Sequence, residues 1–322
     1  MITDLQPIDA AHGGDGWSPR SSVTLREELG LYWAKCGIDS EIGRLRTVLL
    51  HRPDSELLEV LQPEESHWVA NMDLNKAQQQ HDNLAKIYEQ HGVKVIYLEP
   101  GDSAKPNHMF ARDLFAMTPE GAIICRTAST VRQGEEVAVS AALARHKIPI
   151  LLTVCGRGIF EGPDLVFVNE ITAFVAGGIR SNAEGISQVS AMLSLQKVNP
   201  ILIQTTYGCG HLDGVMSILD RQTAILYPRR VSHIVFETLH RLDYEIILLP
   251  DSYEAETLMA INMVVVEPGL VIIPSGCTKT MELLKKHKIE SIPVDVSELM
   301  HGGGAVHCLT GVIYRQSPWG SQ

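Results

Sequence analysis

Apolar and polar positions alternate along the chain in blocks that have the lengths of strands and helices. An apolar strand is expected at 45–50, followed by a helical stretch around 72–91 and a second strand at 93–98. At 113–126 two apolar runs flank a Pro-Glu-Gly turn, which is typical of a hairpin. A helix near 134–146 and another apolar run follow. The pattern predicts an α/β protein in which strands and helices alternate.

This strand–strand–helix–strand unit recurs at a fixed spacing. Hairpins are predicted to begin at 113, 164, 213 and 262, a period of about 50 residues that indicates a repeated supersecondary unit. The first unit lacks one hairpin strand, which a lone strand at 309–315 would supply. Five units would then close into a ring with no open sheet edge, as in a propeller. An ordinary α/β sandwich with coincidental spacing is the alternative.

Residues 1–38 differ from the rest of the chain. They contain turn-forming residues and the isolated Trp17 and Trp33, and they show no strong periodicity. We expect an N-terminal extension over 1–38, packed on a single catalytic domain that spans 39–322.

Composition and charge exclude several classes of protein. Hydrophobic residues make up 45% of the chain and charged residues 20%, as in ordinary globular proteins. The net charge of -11 argues against a nucleic-acid partner or an anionic membrane, since both require a basic face. The six cysteines form no CxxC pair, no secretory signal opens the chain, and no apolar run reaches the roughly 20 residues of a membrane span. We expect a cytoplasmic protein, and the charge suits a small cationic substrate.

Polar side chains stand at or just before the start of the predicted hairpins, at equivalent positions of the units. In a ring, these positions converge near the axis. A set of acids with a histidine and a cysteine at one point is what a polar active site requires. The residues are Asp113, Glu161, Asp164, His211, Asp213, Asn262 and Cys308.

Cys308 is the candidate nucleophile, and His211 is its candidate acid/base partner. A single cysteine is more often a small buried hydrophobe. Here a triple glycine at 302–304 precedes the cysteine, predicting a flexible backbone that can approach a ligand closely. A thiolate with a proton-transfer partner is the minimum set for covalent catalysis.

Asp213 stands two residues after His211. If both lie on one strand, their side chains share a face, because the strand period is two. Cys209 and His211 could together bind a metal, but no second ligand pair is spaced to complete a tetrahedral site. The sequence therefore predicts neither a metal nor another cofactor.

The motifs, taken in order, resemble the guanidino-group-modifying enzymes of the pentein fold, a five-bladed α/β propeller. These enzymes include arginine deiminases, arginine dihydrolases, dimethylarginine hydrolases and amidinotransferases. The resemblance covers about 40–316. It rests on SEIGRLRTVLLHRP (40–53), PNHMFARD (106–113), FEGPD (160–164), GGIRSNAEG (177–185), HLD (211–213) and GGGAVHC (302–308).

The resemblance implies three catalytic roles. Cys308 would attack the guanidinium carbon and form a covalent thiouronium intermediate. His211 would protonate the departing amine and then activate the water that releases the product. Glu161 would orient His211.

The resemblance also implies the residues that hold the substrate. Asp113 and Asp213 would grip the guanidinium nitrogens, in agreement with the preference of a planar guanidinium for two carboxylates in fork geometry. Arg132 and Arg180 would bind the carboxylate of the amino acid, although an ordinary salt bridge would also explain either arginine.

Several alternatives remain open at this stage. Asp213 and Arg112 resemble enzymes that act on unmethylated guanidines, and Glu161 favours hydrolysis over amidino transfer to an amine, which is the second candidate. Pro163 replaces a glycine that is common in its motif. The sequence does not separate one hydrolysis, giving citrulline, from two, giving ornithine. A third candidate is a ribosome-binding factor of the same shape, but such factors lack the Cys/His pair. Assembly into a homo-oligomer is left open.

Overall fold

A computed structural model describes residues 8–20 and 23–320 of the chain. Fifteen strands in this part of the chain form five three-stranded sheets. The strands are β1 (Arg44–Leu50), β2 (Lys94–Tyr97), β3 (Phe115–Thr118), β4 (Gly121–Ile124), β5 (Ile150–Thr153), β6 (Leu165–Asn169), β7 (Thr172–Gly177), β8 (Asn199–Gln204), β9 (Met216–Asp220), β10 (Thr223–Leu226), β11 (Glu245–Leu248), β12 (Val264–Glu267), β13 (Leu270–Pro274), β14 (Glu290–Val294) and β15 (Gly311–Gln316).

Each sheet has the same strand order. The middle strand pairs antiparallel with its hairpin partner and parallel with the strand that follows the helix, as β4 does with β3 and β5. The four predicted hairpins are present. β15, from the end of the chain, supplies the antiparallel partner of β1. β15 of the first sheet contacts β3 of the second sheet. β12 of the fifth sheet contacts β1 of the first, so the fifth sheet neighbours the first.

Helices connect the second and third strands of each unit. Their apolar positions recur at helical spacing, and the helix α2 (Leu74–Gln90), for example, buries Ala77, Leu84 and Tyr88. None of the helices in the described ranges is both long and apolar enough to cross a membrane. The helices that make this connection are α2, α3 (Glu135–Arg145), α4 (Ala183–Leu195), α5 (His233–Arg241) and α7 (Thr278–Lys286), whereas α1 (Leu25–Glu28) precedes β1 and α6 (Ser252–Glu256) lies between β11 and β12.

Short 3-10 turns precede three of the hairpins. Ala111–Leu114 leads into β3, Gly162–Asp164 into β6, and Leu212–Gly214 comes just before β9. The prediction that His211 and Asp213 lie along one strand is therefore wrong, because the chain coils at this point instead of extending. The same coiling carries the acids Asp113 and Asp164 into buried positions at the ends of their sheets.

The segment before β1 attaches to the edge of the first sheet. Gly37 donates a hydrogen bond to the carbonyl of Ile313 at 2.9 Å, and its own carbonyl accepts one from Arg315 at 3.2 Å. The indole of Trp17 is largely exposed, and that of Trp33 is partly exposed. Residues 1–7 and 21–22 of the expected extension lie outside the described residues.

Gly162 tests how closely two of these turns pack. A β-carbon on Gly162 would overlap the carbonyl oxygens of Arg112 and Phe115, whereas one on Gly214 would meet nothing within 4 Å. We expect Gly162→Ala to lower the free energy of unfolding by about 2 kcal/mol or more, because backbone atoms would have to move. Gly214→Ala is the control and should leave it nearly unchanged. Urea denaturation measures both, and equal stability of the two variants would contradict this packing.

Candidate active site

The Cys308 loop lies between the 3-10 turn Leu299–Gly302 and β15. The backbone carbonyl of Cys308 accepts a hydrogen bond from the backbone N–H of Arg112 at 3.2 Å, and this bond connects the loop to the turn before β3. A β-carbon on Gly304 would stand 2.6 Å from Phe110 Cε1, and Gly303 has a positive φ of 87°. The sequence predicted that the triple glycine makes the backbone flexible. In the structure these glycines instead allow close packing at Gly304 and a left-handed turn at Gly303.

Cys308 is only partly buried as a residue. Asn262 Nδ2 donates a hydrogen bond to its sulfur at 3.0 Å. Burial and the carboxylates of Asp113 and Asp213 raise the pKa of Cys308 to about 12, and the hydrogen bond from Asn262 opposes them only in part. Cys308 is consequently a thiol at neutral pH in these surroundings, and a nearby cation would favour the thiolate.

His211 and Glu161 form a tightly coupled pair. His211 Nε2 lies 2.7 Å from Glu161 Oε2, and Glu161 is fully buried. Burial disfavours a charged His211, but the hydrogen bond to Glu161 and the nearby carboxylate of Asp113 outweigh it and raise the pKa of His211 to about 9. Burial acts against the Glu161 carboxylate too, yet the hydrogen bond from His211 holds its pKa at about 2. At neutral pH His211 is therefore a cation that can give a proton away.

Glu161 has two further donors that fix its position. The backbone N–H of Ala128 donates to Oε1 at 2.9 Å, and Arg180 Nη1 donates to Oε2 at 3.2 Å. The Arg180 side chain is 28% exposed and makes no other hydrogen bond within the described part of the chain. Arg180 thus reaches from the Glu161 carboxylate toward solvent.

Asp164 joins the turns that carry Glu161 and His211. Its Oδ1 accepts a hydrogen bond from the backbone N–H of Leu212 at 3.1 Å, and its Oδ2 accepts one from Ser181 Oγ at 2.6 Å. The same Ser181 Oγ accepts a hydrogen bond from the backbone of Glu161. The sequence placed Asp164 among the converging residues, and the structure shows what it contacts.

Arg132 lies against Asp113, and its guanidinium binds other groups of the protein. Its guanidinium forms an ion pair with Asp113, donates to Glu135 Oε2 at 2.9 Å and donates to the carbonyl of Asn107 at 3.0 Å. Its side chain is almost fully buried. These contacts favour Arg132 as the support of Asp113 over the predicted role as a ligand of a substrate carboxylate.

Asp213 faces two basic side chains. Its Oδ2 lies 3.0 Å from His307 Nδ1 and 3.5 Å from Arg112 Nε, although neither contact is aligned as a hydrogen bond. Burial acts against the charged form of Asp213, but the proximity of His307 and then of Arg112 lowers its pKa. Sequence reasoning gave His307 no role, and its position directly before Cys308 was the available signal.

The site contains buried acceptors with no donor. Asp113 Oδ1 and both oxygens of Asp213 accept no hydrogen bond from the described residues. Unpaired buried carboxylate oxygens are costly, so this arrangement suits a ligand that carries positive charge and several N–H groups. One carboxylate oxygen of Asp113, one of Glu161 and one ring nitrogen of His211 lie within 4.8 Å of one another. The protonated His211 is therefore close to the unpartnered carboxylate of Asp113.

Comparison with known proteins gives a consistent result. The family model described as N,N dimethylarginine dimethylhydrolase, eukaryotic, matches residues 65–315, which include Asp113, Glu161, His211 and Cys308. The N(G),N(G)-dimethylarginine dimethylaminohydrolase of Mycobacterium tuberculosis is 28% identical over 244 residues, covering 75% of this chain and 77% of that protein. An arginine deiminase of Bacillus cytotoxicus is 24% identical, covering 74% of this chain and 67% of that protein.

A solved structure shows the same fold. It is the dimethylarginine dimethylaminohydrolase of Pseudomonas aeruginosa, as a cysteine-to-serine mutant complexed with citrulline. It superposes with a TM-score of 0.71 at 23% sequence identity, and the match covers 84% of this chain and all of that chain.

Removing the Glu161 carboxylate should lower the pKa of His211. We expect a value near 9 in the unaltered protein and a value lower by one or more units in Glu161→Gln, because the amide has no charge to stabilise imidazolium. NMR titration of the imidazole signal that is absent from His211→Ala measures both.

Glu184→Gln is the control for this titration, because Glu184 is an exposed acid in the first turn of α4. Its His211 should titrate as in the unaltered protein. An unchanged titration in Glu161→Gln would show that Glu161 does not set the charge of His211.

Proposed function

The chain belongs to the N,N-dimethylarginine dimethylhydrolase family of the pentein superfamily of guanidino-group-modifying enzymes, and from this premise we propose that it hydrolyses the guanidino group of L-arginine or a close arginine-like compound. The products are citrulline and ammonia, or ornithine if a second hydrolysis follows. The observation that carries the proposal is the set of unpartnered carboxylate oxygens on Asp113 and Asp213, two acids whose negative charges also act on the Cys308 thiol.

A guanidinium meets the requirements of these oxygens. It is planar and cationic, and its N–H groups point outward in a fixed fork that matches carboxylates. Asp113 is held from behind by Arg132, and Asp213 lies against His307 and Arg112. Both acids are therefore positioned before the substrate arrives, which reduces the cost of orienting it.

The two acids favour an unmethylated guanidine. A methyl group on a guanidine nitrogen removes an N–H donor and places carbon against a buried carboxylate oxygen, which leaves that oxygen unpaired. Asp213 is buried, and its Oδ1 has no hydrogen-bond donor in the described residues. On this argument L-arginine binds better than the dimethylated form from which the family takes its name.

Binding of the cation also activates the nucleophile. The charges of Asp113 and Asp213 are among the causes that hold the pKa of Cys308 at about 12. A guanidinium between them places one positive charge against their two negative charges, so the surroundings of the sulfur become less negative and the thiol loses its proton to solvent more readily. The thiolate therefore forms mainly when substrate is present.

The first half of the reaction uses His211 as an acid. The Cys308 thiolate attacks the guanidinium carbon, which forms the S–C bond and gives a tetrahedral adduct. His211 donates its proton to one terminal nitrogen, the C–N bond breaks, and ammonia leaves. Cys308 then carries a thiouronium cation, and His211 is neutral.

The second half uses His211 as a base. A water molecule attacks the thiouronium carbon while the neutral His211 accepts a proton from it. The S–C bond then breaks, the thiolate of Cys308 leaves, and the hydroxyl proton of the adduct passes to solvent, which gives neutral citrulline. An amine in place of water would complete an amidino transfer by the same route.

We further propose that the five sheets are the blades of a five-bladed propeller, which forms a single domain over 39–322. Their identical strand order supports this arrangement, as do the contacts of β12 with β1 and of β15 with β3. A ring would bring the turns before β3, β6 and β9 together with Cys308 at one end of the sheets.

The direct test is turnover. With L-arginine we expect ammonia and citrulline, and we expect no new guanidino compound when glycine or lysine is added. Cys308→Ser and His211→Ala should each reduce turnover by about a thousandfold or more, since each removes a group that the covalent step requires. Cys155→Ser, at an exposed cysteine, is the control and should remain active.

Three outcomes would contradict the proposal. Undiminished turnover by Cys308→Ser would exclude the covalent mechanism. Faster release of dimethylamine from dimethylarginine than of ammonia from arginine would reverse the assigned substrate preference. A new guanidino product with an added amine would identify a transferase.

The two arginines should respond differently to the carboxylate of the substrate. If Arg180 binds this group, Arg180→Gln should lower kcat/KM for L-arginine about tenfold more than for agmatine, its decarboxylated analogue. Arg132→Met should lower kcat/KM for both compounds alike, because Arg132 supports Asp113. Arg157→Gln, at a nearby exposed arginine, is the control. A selective loss for L-arginine in Arg132→Met would restore the role expected from the sequence.

A further inference from the structure

We propose that Asn262 is a catalytic residue of this site, whose side-chain amide stabilises the thiolate form of Cys308 by a hydrogen bond to its sulfur and fixes the direction of that sulfur. The effect on turnover rests on the proposed function, whereas the effect on the thiol itself does not. Neither the roles implied by the family resemblance nor the mechanism above uses this residue.

The amide and the sulfur are in direct contact. Asn262 Nδ2 lies 3.0 Å from Cys308 Sγ, within hydrogen-bonding distance for a sulfur acceptor. Asn262 is only 6% exposed, so water competes little for this donor. A donor of this kind interacts more strongly with a negative sulfur than with a neutral thiol.

The other end of the amide fixes which atom faces the sulfur. Asn262 Oδ1 accepts hydrogen bonds from the backbone N–H groups of His307 at 2.8 Å and Cys308 at 3.2 Å. A flipped amide would place its NH₂ group against two N–H donors, where it could accept nothing. The backbone of the nucleophile loop therefore dictates that the NH₂ group points at the sulfur.

The residue also stands on a rigid base. The backbone N–H of Asn262 donates to the carbonyl of Met259 at 2.8 Å, in the turn that leads into β12. β12 is the first strand of the fourth hairpin, at one edge of the fifth sheet, and contacts β1. The short side chain of Asn262 therefore holds the Cys308 sulfur in a fixed position relative to the fifth sheet.

The electrostatics of the site give the hydrogen bond its function. Burial and the charges of Asp113 and Asp213 all disfavour the thiolate, and the amide of Asn262 acts against them. The positive charge of the substrate opposes the negative charges of the two carboxylates only while the substrate is bound. In the second half of the reaction the thiolate must leave, and the same amide hydrogen bond would stabilise it as it forms.

Two substitutions separate hydrogen-bond donation from positioning. Asn262→Asp keeps the size of the side chain and the oxygen that accepts from the loop backbone, but it replaces the donor with a charged oxygen. Asn262→Ser removes the amide NH₂ group without adding a charge, and its shorter side chain holds its own hydroxyl farther from the sulfur. Asn169→Asp is the matched control, because Asn169 Oδ1 likewise accepts a backbone N–H, that of Ile171, at a hairpin turn.

The experiment measures alkylation of Cys308 by iodoacetamide as a function of pH, followed on its peptide by mass spectrometry. We expect Asn262→Asp to slow alkylation at pH 8 at least tenfold, which corresponds to a thiol pKa raised by one unit or more. Asn262→Ser should slow it several-fold. Asn169→Asp should match the unaltered protein, and the exposed Cys155 serves as the internal reference in every sample.

Steady-state kinetics provide a second measurement. With L-arginine we expect kcat to fall at least tenfold in Asn262→Asp while KM changes less than threefold, because the amide contacts the sulfur. Unchanged alkylation and an unchanged pH profile in both folded Asn262 variants would overturn the proposal. If the unaltered protein turned over no guanidine while Asn262→Asp still slowed alkylation, the proposed function would fail and the role of Asn262 would stand.

Discussion

The charge buried around Cys308 is the constraint on which this structure depends. Three buried carboxylates would destabilise the fold if they had no partners, and each of them lies beside a basic side chain. The pairs are Asp113 with Arg132, Glu161 with His211, and Asp213 with His307. The pairing is incomplete, since oxygens of Asp113 and Asp213 have no hydrogen-bond donor among the described residues. This residual negative charge favours a cation and, at the same time, keeps the thiol protonated until one is bound.

The fold meets this constraint by placing each group on a rigid support. The acids lie in short 3-10 turns at the ends of sheets, and the turns are bonded to one another, as Asp164 is to Leu212. Glycine is required where these turns pack most closely, at Gly162 and Gly304. The arrangement allows little adjustment, which suits a reaction that depends on the orientation of a resonance-stabilised cation.

Sequence reasoning correctly located the hairpins and the helices that follow them. The hairpins and helices followed from hydrophobic periodicity, and the structure places Glu161 against His211 as expected. The role expected of Arg132 has less support. Arg132 is buried against Asp113 and Glu135 instead of facing the surface, and His307 was overlooked although it contacts Asp213. Such pairings depend on residues far apart in sequence, so no local pattern indicates them.

The sequence by itself determined the strand–strand–helix–strand repeat, because side-chain periodicity is a local property of the chain. It also determined which residue types were available for chemistry, and their positions at the starts of equivalent hairpins pointed to one centre. Only the tertiary structure decided which partner each charged group has, and hence which groups are ionised. It also decided that the amide of Asn262 faces the sulfur of Cys308. The physical reason is that burial and short-range electrostatics depend on distances of a few ångströms between residues that lie tens to hundreds of positions apart.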